Sequence, residues 1–270
     1  MVAMKDFAKC YDNHFTVVRA NTPSLLDRVY RLRYQVYCKE NSYFPEEHFD
    51  GRETDEHDAV SAHILLLHKQ SGSAIGTARL IMPQLGYGWR PLPVWQVMTP
   101  RGREQFERLA SHRTAEISRF AVSKEFRRWW RDHHGPAASE TRQQVASGEQ
   151  QLMLYVTFGL IQEILLLSLE RGIDYLTAVM NPSLIRILTK LGLEFEPIGG
   201  IVDYHGIRQP CIALLRDLVV QSKNEFTPLW QFVSHRDAYR LSRSGDGERL
   251  SADQKIRAIL AGDSRTQLLS

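Results

Sequence analysis

The stretch Thr114-Ala115-Glu116-Ile117-Ser118-Arg119-Phe120-Ala121-Val122 reads as a strand that carries two charges inside an apolar run. Ile117, Phe120 and Val122 are β-branched or aromatic and favour extended backbone. Residues three apart in a regular strand point to opposite faces, so Glu116 and Arg119 share one face only if a bulge inserts a residue between them. Such an interruption also releases backbone N–H groups. Around Phe120–Val122 these would be placed to polarise a carbonyl oxygen.

Working back from this strand, Ser61–Lys69 and Ile75–Met82 are apolar runs joined by Gln70-Ser71-Gly72-Ser73, a hairpin signal. The second run holds Arg79 on the face of Thr77 and Ile81. Further upstream, Thr22-Pro23 opens a helix, and Leu25, Leu26, Val29, Leu32 and Val36 recur at helical spacing. Arg33 borders that apolar face. Asn41–Asp58 is a long loop that Tyr43, Phe44 and Phe49 should order. Pro83–Arg113 reads as a loop with a short helix near Arg103–Leu109.

Working forward, Lys124–Gly148 is basic, then polar, and reads as a mobile loop. A buried helix follows over Gln151–Arg171, closed by Gly172. Then come a strand at Asp174–Met180, a helix at Pro182–Leu191, and strands at Glu194–Tyr204 and Pro210–Leu215 joined across His205-Gly206. A strand–helix–strand crossover beside hairpins predicts an α/β fold, a mixed central sheet with flanking helices. The expected organisation is one domain over 1–242 and a polar, flexible tail over 243–270, with a weak helix at Ala252–Leu260.

The 270 residues carry a net charge of only +3, too little for the basic stripe of a dedicated nucleic-acid binder. Cys10, Cys38 and Cys211 are few, distant and in no C-x-x-C pair, which suits free thiols in a reducing cytoplasm. The first 15 residues lack the apolar core of a signal peptide. Gln151–Leu169 is the most apolar stretch, but Gln162 and Glu163 near its centre favour a core helix over a membrane span. His57, His63, His133, His134 and His205 lack zinc-type spacing, so no metal is expected.

Charge concentrates in four segments where the pattern should be apolar: Leu32–Tyr37, Glu53–Ala59, Gly76–Leu80 and Ala115–Val122. Arginines inside strands need nearby carboxylates, so these segments predict one polar network. A purely structural ion-pair cluster and an active site both satisfy that requirement.

In order and spacing the four segments resemble those of acyl-homoserine-lactone synthases, whose pattern runs R-x-x-V-F, a Trp, D-x-x-D, an R-L strand and E-L-S-R-F-A-V. This chain has Arg33, Val36, Tyr37, Tyr43, Asp55, Asp58, Arg79, Glu116, Ser118 and Arg119 at those places. Tyr37 replaces the Phe and Tyr43 the Trp, where that family holds its S-adenosylmethionine acceptor. Val202–Pro210, the overall length and the polar tail look like acyltransferases associated with PEP-CTERM/exosortase loci, relatives of N-acyl amino acid synthases.

The resemblance implies a GNAT-like fold and transfer of a long acyl group from a thioester to a small amine, such as an amino acid. Acyl-homoserine-lactone synthesis and non-catalytic binding of an acyl thioester are the alternatives. Glu116 would take the amine proton, and the backbone of Phe120 and Val122 would face the oxyanion. Arg33, Tyr37, Tyr43, Asp55, Asp58, Arg79, Ser118 and Arg119 would shape the acceptor end, with Leu154, Phe158, Met180 and Asn181 along the acyl chain. After the strand stands Ser123-Lys124-Glu125-Phe126-Arg127-Arg128-Trp129-Trp130-Arg131, where coenzyme A-dependent GNAT enzymes usually carry a Gly-rich loop. Lys124, Arg127, Arg128 and Arg131 would then meet an acidic acyl-carrier protein, with the donor on its phosphopantetheine and no other cofactor.

Overall fold

Thr22 begins the first long helix as the sequence predicts: its hydroxyl accepts the Leu25 N–H at 3.3 Å, and Pro23 takes the first helical position. The computed structural model describes residues 4–83, 92–107, 113–134 and 142–222. Its elements are α1 (Met4–His14), β1 (Phe15–Arg19), α2 (Pro23–Tyr34), β2 (Ser61–His68), β3 (Ala74–Ile81), α3 (Pro100–Glu107), β4 (Thr114–Val122) and α4 (Lys124–His134). They continue as α5 (Arg142–Glu170), β5 (Tyr175–Met180), α6 (Pro182–Lys190), β6 (Glu196–Pro197), β7 (Val202–Asp203), β8 (Ile207–Leu214) and α7 (Leu215–Ser222). The expected tail at 243–270 lies outside the described residues.

The described residues fall into two compact units. One lies within His14–Leu80 and Ser118–Glu163. Its strands run in the order β1-β2-β3-β4, with β1 antiparallel to β2 from Phe15 opposite His68 to Arg19 opposite Ile64. Ala20, Val29, Leu32, Val36, Leu65 and Ala121 form a buried cluster where α2 meets the strands. Gly76 lets α5 approach β3: a Cβ there would stand 2.9 Å from a methyl of Val156.

The other unit lies within Met1–Asn13, Ile81–Ile117 and Ile164–Ser270. Its order is β4-β5-β8-β6, with β7 also on β8. β4 is parallel to β5, in register from Thr114 opposite Tyr175 to Ile117 opposite Ala178, while β5 and β8 are antiparallel. Parallel and antiparallel pairs together make the sheet mixed, as the order of elements predicts. Among the described residues, α5 is long and apolar enough to cross a membrane over Leu152–Glu170, yet 72% of that window is buried inside the protein. Gly172, at φ +64°, ends it by donating to the Leu169 carbonyl.

The structure corrects the sequence reading in four places. Lys124–His134 is a helix, not a mobile loop. Its apolar side holds Phe126 and Trp130, both buried, with Arg127 and Arg128 between them in sequence and the other charges flanking them. Trp130 packs 5.1 Å from Phe15, and Phe126 lies 5.2 Å from His68, so these rings build core. α5 starts at Arg142, earlier than its apolar stretch. The strand expected over Glu194–Tyr204 is two short pieces, β6 and β7. α1 and β1 were not anticipated at all.

Candidate active site

Six side chains of the first unit close into a ring of alternating charge. Arg33, on α2, donates from Nε to Glu53 and from Nη1 to Asp58 at 2.6 Å. Arg79, on β3, donates from one nitrogen to Asp58 at 2.7 Å and Asp55 at 2.5 Å. Arg119, on β4, donates to Asp55 at 2.9 Å and back to Glu53 at 2.8 Å. The order Glu53–Arg33–Asp58–Arg79–Asp55–Arg119 therefore returns to its start. Three cations face three anions, and each charge has an opposite on either side.

Burial alone would push the carboxyls toward neutrality. For Glu53, that tendency is overcome by hydrogen bonds from Arg33 and Arg119, which hold it below the usual carboxylate range. Asp55 is held down by Arg79 and Asp58 by Arg33, each against the same burial effect. Burial likewise works against the Arg33 and Arg119 charges, and Glu53 restores them.

Local structure prepares the ring. Asp58 accepts the Asp55 N–H at 2.8 Å and Asp55 accepts the His57 N–H at 2.9 Å, which folds the acidic loop on itself. Ser118 accepts from Arg79 Nε at 2.9 Å. Arg119 itself has φ +49°, a left-handed residue inside a strand, at a cost of about 1–2 kcal/mol. β4 pairs regularly with β5 through Ile117, and its backbone departs from strand geometry at Arg119. The two carboxylate partners of Arg119 offset the strained backbone.

The ring is sealed at one end and open at the other. Arg33 and Arg79 are at most 1% exposed and Glu53 is 1% exposed, whereas Arg119 and Asp55 are 21% and 23% exposed. Aromatic rings flank the open end: Arg119 lies 5.6 Å from the Tyr37 ring centre and 5.3 Å from that of Phe44. Tyr43 stands 6.1 Å from Tyr37, whose hydroxyl donates to the Phe120 carbonyl at 3.3 Å. Val122 follows, half-buried, at the end of β4.

Of the residues singled out in the sequence, Arg33, Tyr37, Tyr43, Asp55, Asp58, Arg79, Ser118 and Arg119 are thus brought together. Glu116 lies in the other unit, 2% exposed, with a carboxylate oxygen accepting the Val94 N–H at 2.8 Å. Leu154 and Phe158 lie on α5 in the first unit. Met180 is buried in the second, and Asn181 caps α6 by accepting the Ser183 N–H at 2.8 Å. Lys124, Arg127 and Arg128 line a cleft of about 610 Å³ with Gln35, Lys39, Glu40 and Glu125. Arg131 pairs with Asp132 at 3.1 Å. Two participants were missed: Glu53, the third acid of a segment already marked by charge, and Phe44, noted only as an ordering aromatic.

Residues 32–130 match the acetyltransferase (GNAT) domain family. TofI, solved in a ternary complex with an inhibitor and MTA, is similar over 77% of this chain and 96% of its own, at 17% identity and a TM-score of 0.52. MesI, a CoA-dependent acyl-homoserine lactone synthase, is similar over 78% and 94%, also at 17% identity and 0.52. FeeM, an N-acyl amino acid synthase from uncultured soil microbes, aligns over 77% and 94% at 17% identity and 0.49. A sequence comparison with curated proteins returns no match. The fold is GNAT-like, as the sequence resemblance implies.

Proposed function

We propose that this chain is an N-acyltransferase that moves a long acyl group from an acyl-carrier-protein thioester to the amine of an amino acid. One observation carries the reading: the open end of the charge ring offers one cation, Arg119, and one anion, Asp55, side by side. An α-amino acid is a zwitterion of that pattern, with a carboxylate for Arg119 and an ammonium for Asp55. The buried remainder of the ring holds both groups in place before the acceptor arrives, which is how a preorganised site lowers the cost of binding. In this reading Glu116 takes one proton from the ammonium to free the amine lone pair, the amine attacks the thioester carbon, and the second proton it sheds passes to the departing sulfur. The tetrahedral oxyanion faces the backbone beyond Arg119, and the thiol leaves on phosphopantetheine. The sequence likeness of Val202–Pro210 supports a proposed assignment to the PEP-CTERM/exosortase-associated group, with the cytoplasm, where acyl carriers are charged, as the proposed site of action.

The purified chain is to be incubated with long-chain acyl-carrier protein and an amino-acid mixture, and in parallel with S-adenosylmethionine. Products are read by mass spectrometry. N-acyl amino acids support the proposal. An acyl-homoserine lactone replaces it with the autoinducer reading. Thioester binding without any product replaces it with a binding module.

A further inference from the structure

The first turn of α4 follows directly on β4, and its leading N–H groups have no partner inside the helix. The chain supplies a partner for each. The Ser123 hydroxyl accepts the Phe126 N–H at 3.0 Å. Glu40 takes the other two, one oxygen accepting from Lys124 at 2.8 Å and the other from Glu125 at 3.1 Å. The Lys124 ammonium also donates to the Glu40 carbonyl at 2.9 Å. A helix start followed by basic residues is ordinarily a place for phosphate. Here a carboxylate of the same chain already stands there.

A special turn of backbone aims it. Gln35–Glu40 continues α2 as a π-helix, whose i→i+5 spacing brings residues five apart to one side. Gln35 consequently donates to Glu40 at 3.0 Å across that turn, and also to the Ser123 hydroxyl at 3.0 Å. The Asn41 amide closes the turn by donating to the Val36 carbonyl at 2.6 Å. Glu40 is therefore held from its own helix and from α4 together. It belongs to the same cleft as Lys39, Arg127 and Arg128, of which Lys39 and Arg128 are exposed.

We infer that Glu40 is a specificity-determining residue: it fills the phosphate-accepting head of α4 from inside, so that the diphosphate of a coenzyme A donor is refused. The exposed cations at the rim are left for acidic side chains of a protein carrier. A diphosphate entering the cleft meets a fixed negative charge and finds the N–H groups taken. An acidic protein surface needs neither those groups nor that depth. The inference rests on the acyl-thioester reading for its biological meaning, but its physical content concerns anion binding alone.

The test is calorimetric titration of coenzyme A into the wild type, Glu40→Ala and Glu40→Gln. Glu40→Ala is expected to bind coenzyme A about tenfold more tightly, the effect of one charge at a helix start. Glu40→Gln, which keeps size and loses charge, should show a smaller gain in the same direction. Affinity for an acyl-carrier protein should change by less than about threefold, since rim charges set it. Circular dichroism checks that both variants fold. Unchanged or weaker coenzyme A binding in a folded Glu40→Gln overturns the inference and reduces Glu40 to a helix cap. Turnover is measured separately: a wild type inactive with every donor overturns the acyltransferase reading and leaves the Glu40 result standing.

Discussion

Substituting Glu53 by Gln tests the charge ring at its most buried carboxylate. Glu53 bridges Arg33 and Arg119, so the change leaves three cations facing two anions. Arg33, with its side chain wholly buried, keeps only Asp58, which it shares with Arg79. Removing one partner of a buried pair costs about 3–5 kcal/mol, because the remaining charge stays desolvated. At ~2–4 °C per kcal/mol for a domain of this size, the melting temperature should fall by roughly 6–20 °C. Thermal and urea melts followed by circular dichroism measure it. Combining Glu53→Gln with Arg119→Met restores neutrality and leaves the chain Arg33–Asp58–Arg79–Asp55. The double variant should then lose less than the two single losses added, by about 0.5–3 kcal/mol. Asp27→Asn provides the contrast: Asp27 pairs with Arg31 and Arg52 on the surface, and its loss should leave the melting temperature unchanged. If Glu53→Gln melts with the wild type, or the double variant is strictly additive, the ring does not act as one electrostatic unit.

Four further outcomes follow from the same structure. Glu116→Gln should lower turnover about 10²–10⁴-fold, the range for losing a general base, with intact folding; near-normal turnover would make Glu116 a structural acceptor for Val94. Glu53, Asp55 and Asp58 have folded pKa values below their unfolded ones, so their stabilisation is complete above pH ~5 and is lost as pH falls through the folded values. Burial also lowers the pKa of His63, so the unfolded chain takes that proton first and stability should begin to fall below pH ~6.5; urea midpoints for the wild type and His63→Phe read the difference. Gly76→Ala should destabilise by about 1–3 kcal/mol through overpacking on Val156, and recover in part with Val156→Ala; no loss on melting would mean that α5 shifts freely.

The sequence carried the ring more legibly than it carried its surroundings. Arg33, Arg79 and Arg119 each interrupt an apolar pattern, and a charge at a core position demands a partner, so the network was visible before its geometry was. Its closure was not visible, because it depends on a loop fold in which Asp55 and Asp58 exchange local hydrogen bonds and expose Glu53 to both Arg33 and Arg119. The left-handed backbone at Arg119 left only an indirect trace, the three-residue offset from Glu116. The helical period of α4 is masked because four basic residues, Lys124, Arg127, Arg128 and Arg131, lie among and around its aromatics and outweigh the i, i+4 pair Phe126 and Trp130. Glu40 left no signal at all: the α4 N–H groups it accepts from are more than eighty residues away, Gln35 reaches it only across a π-helical turn, and nothing in the neighbourhood announces that turn.

Neutrality of the ring restricts how it can recognise an acceptor. A cluster with net charge would attract any counter-ion of opposite sign. Three balanced pairs instead present a local dipole at the Arg119–Asp55 opening, beneath Tyr37 and Phe44. A molecule with a single charge satisfies one of those two groups and leaves the other facing a like charge or reduced solvation. A zwitterion satisfies both at once and keeps the total at zero. The proposed selectivity is therefore for paired charges at fixed separation. Among amine acceptors, an amino-acid amide, which lacks the carboxylate, should lose affinity relative to the free acid. Removing the open pair together, Arg119→Gln with Asp55→Asn, keeps neutrality and abolishes the dipole. That variant should fold, because Glu53–Arg33–Asp58–Arg79 still alternates in sign, and should lose the preference for the free acid. Equal KM values for acid and amide in the wild type would show that the opening reads only the amine.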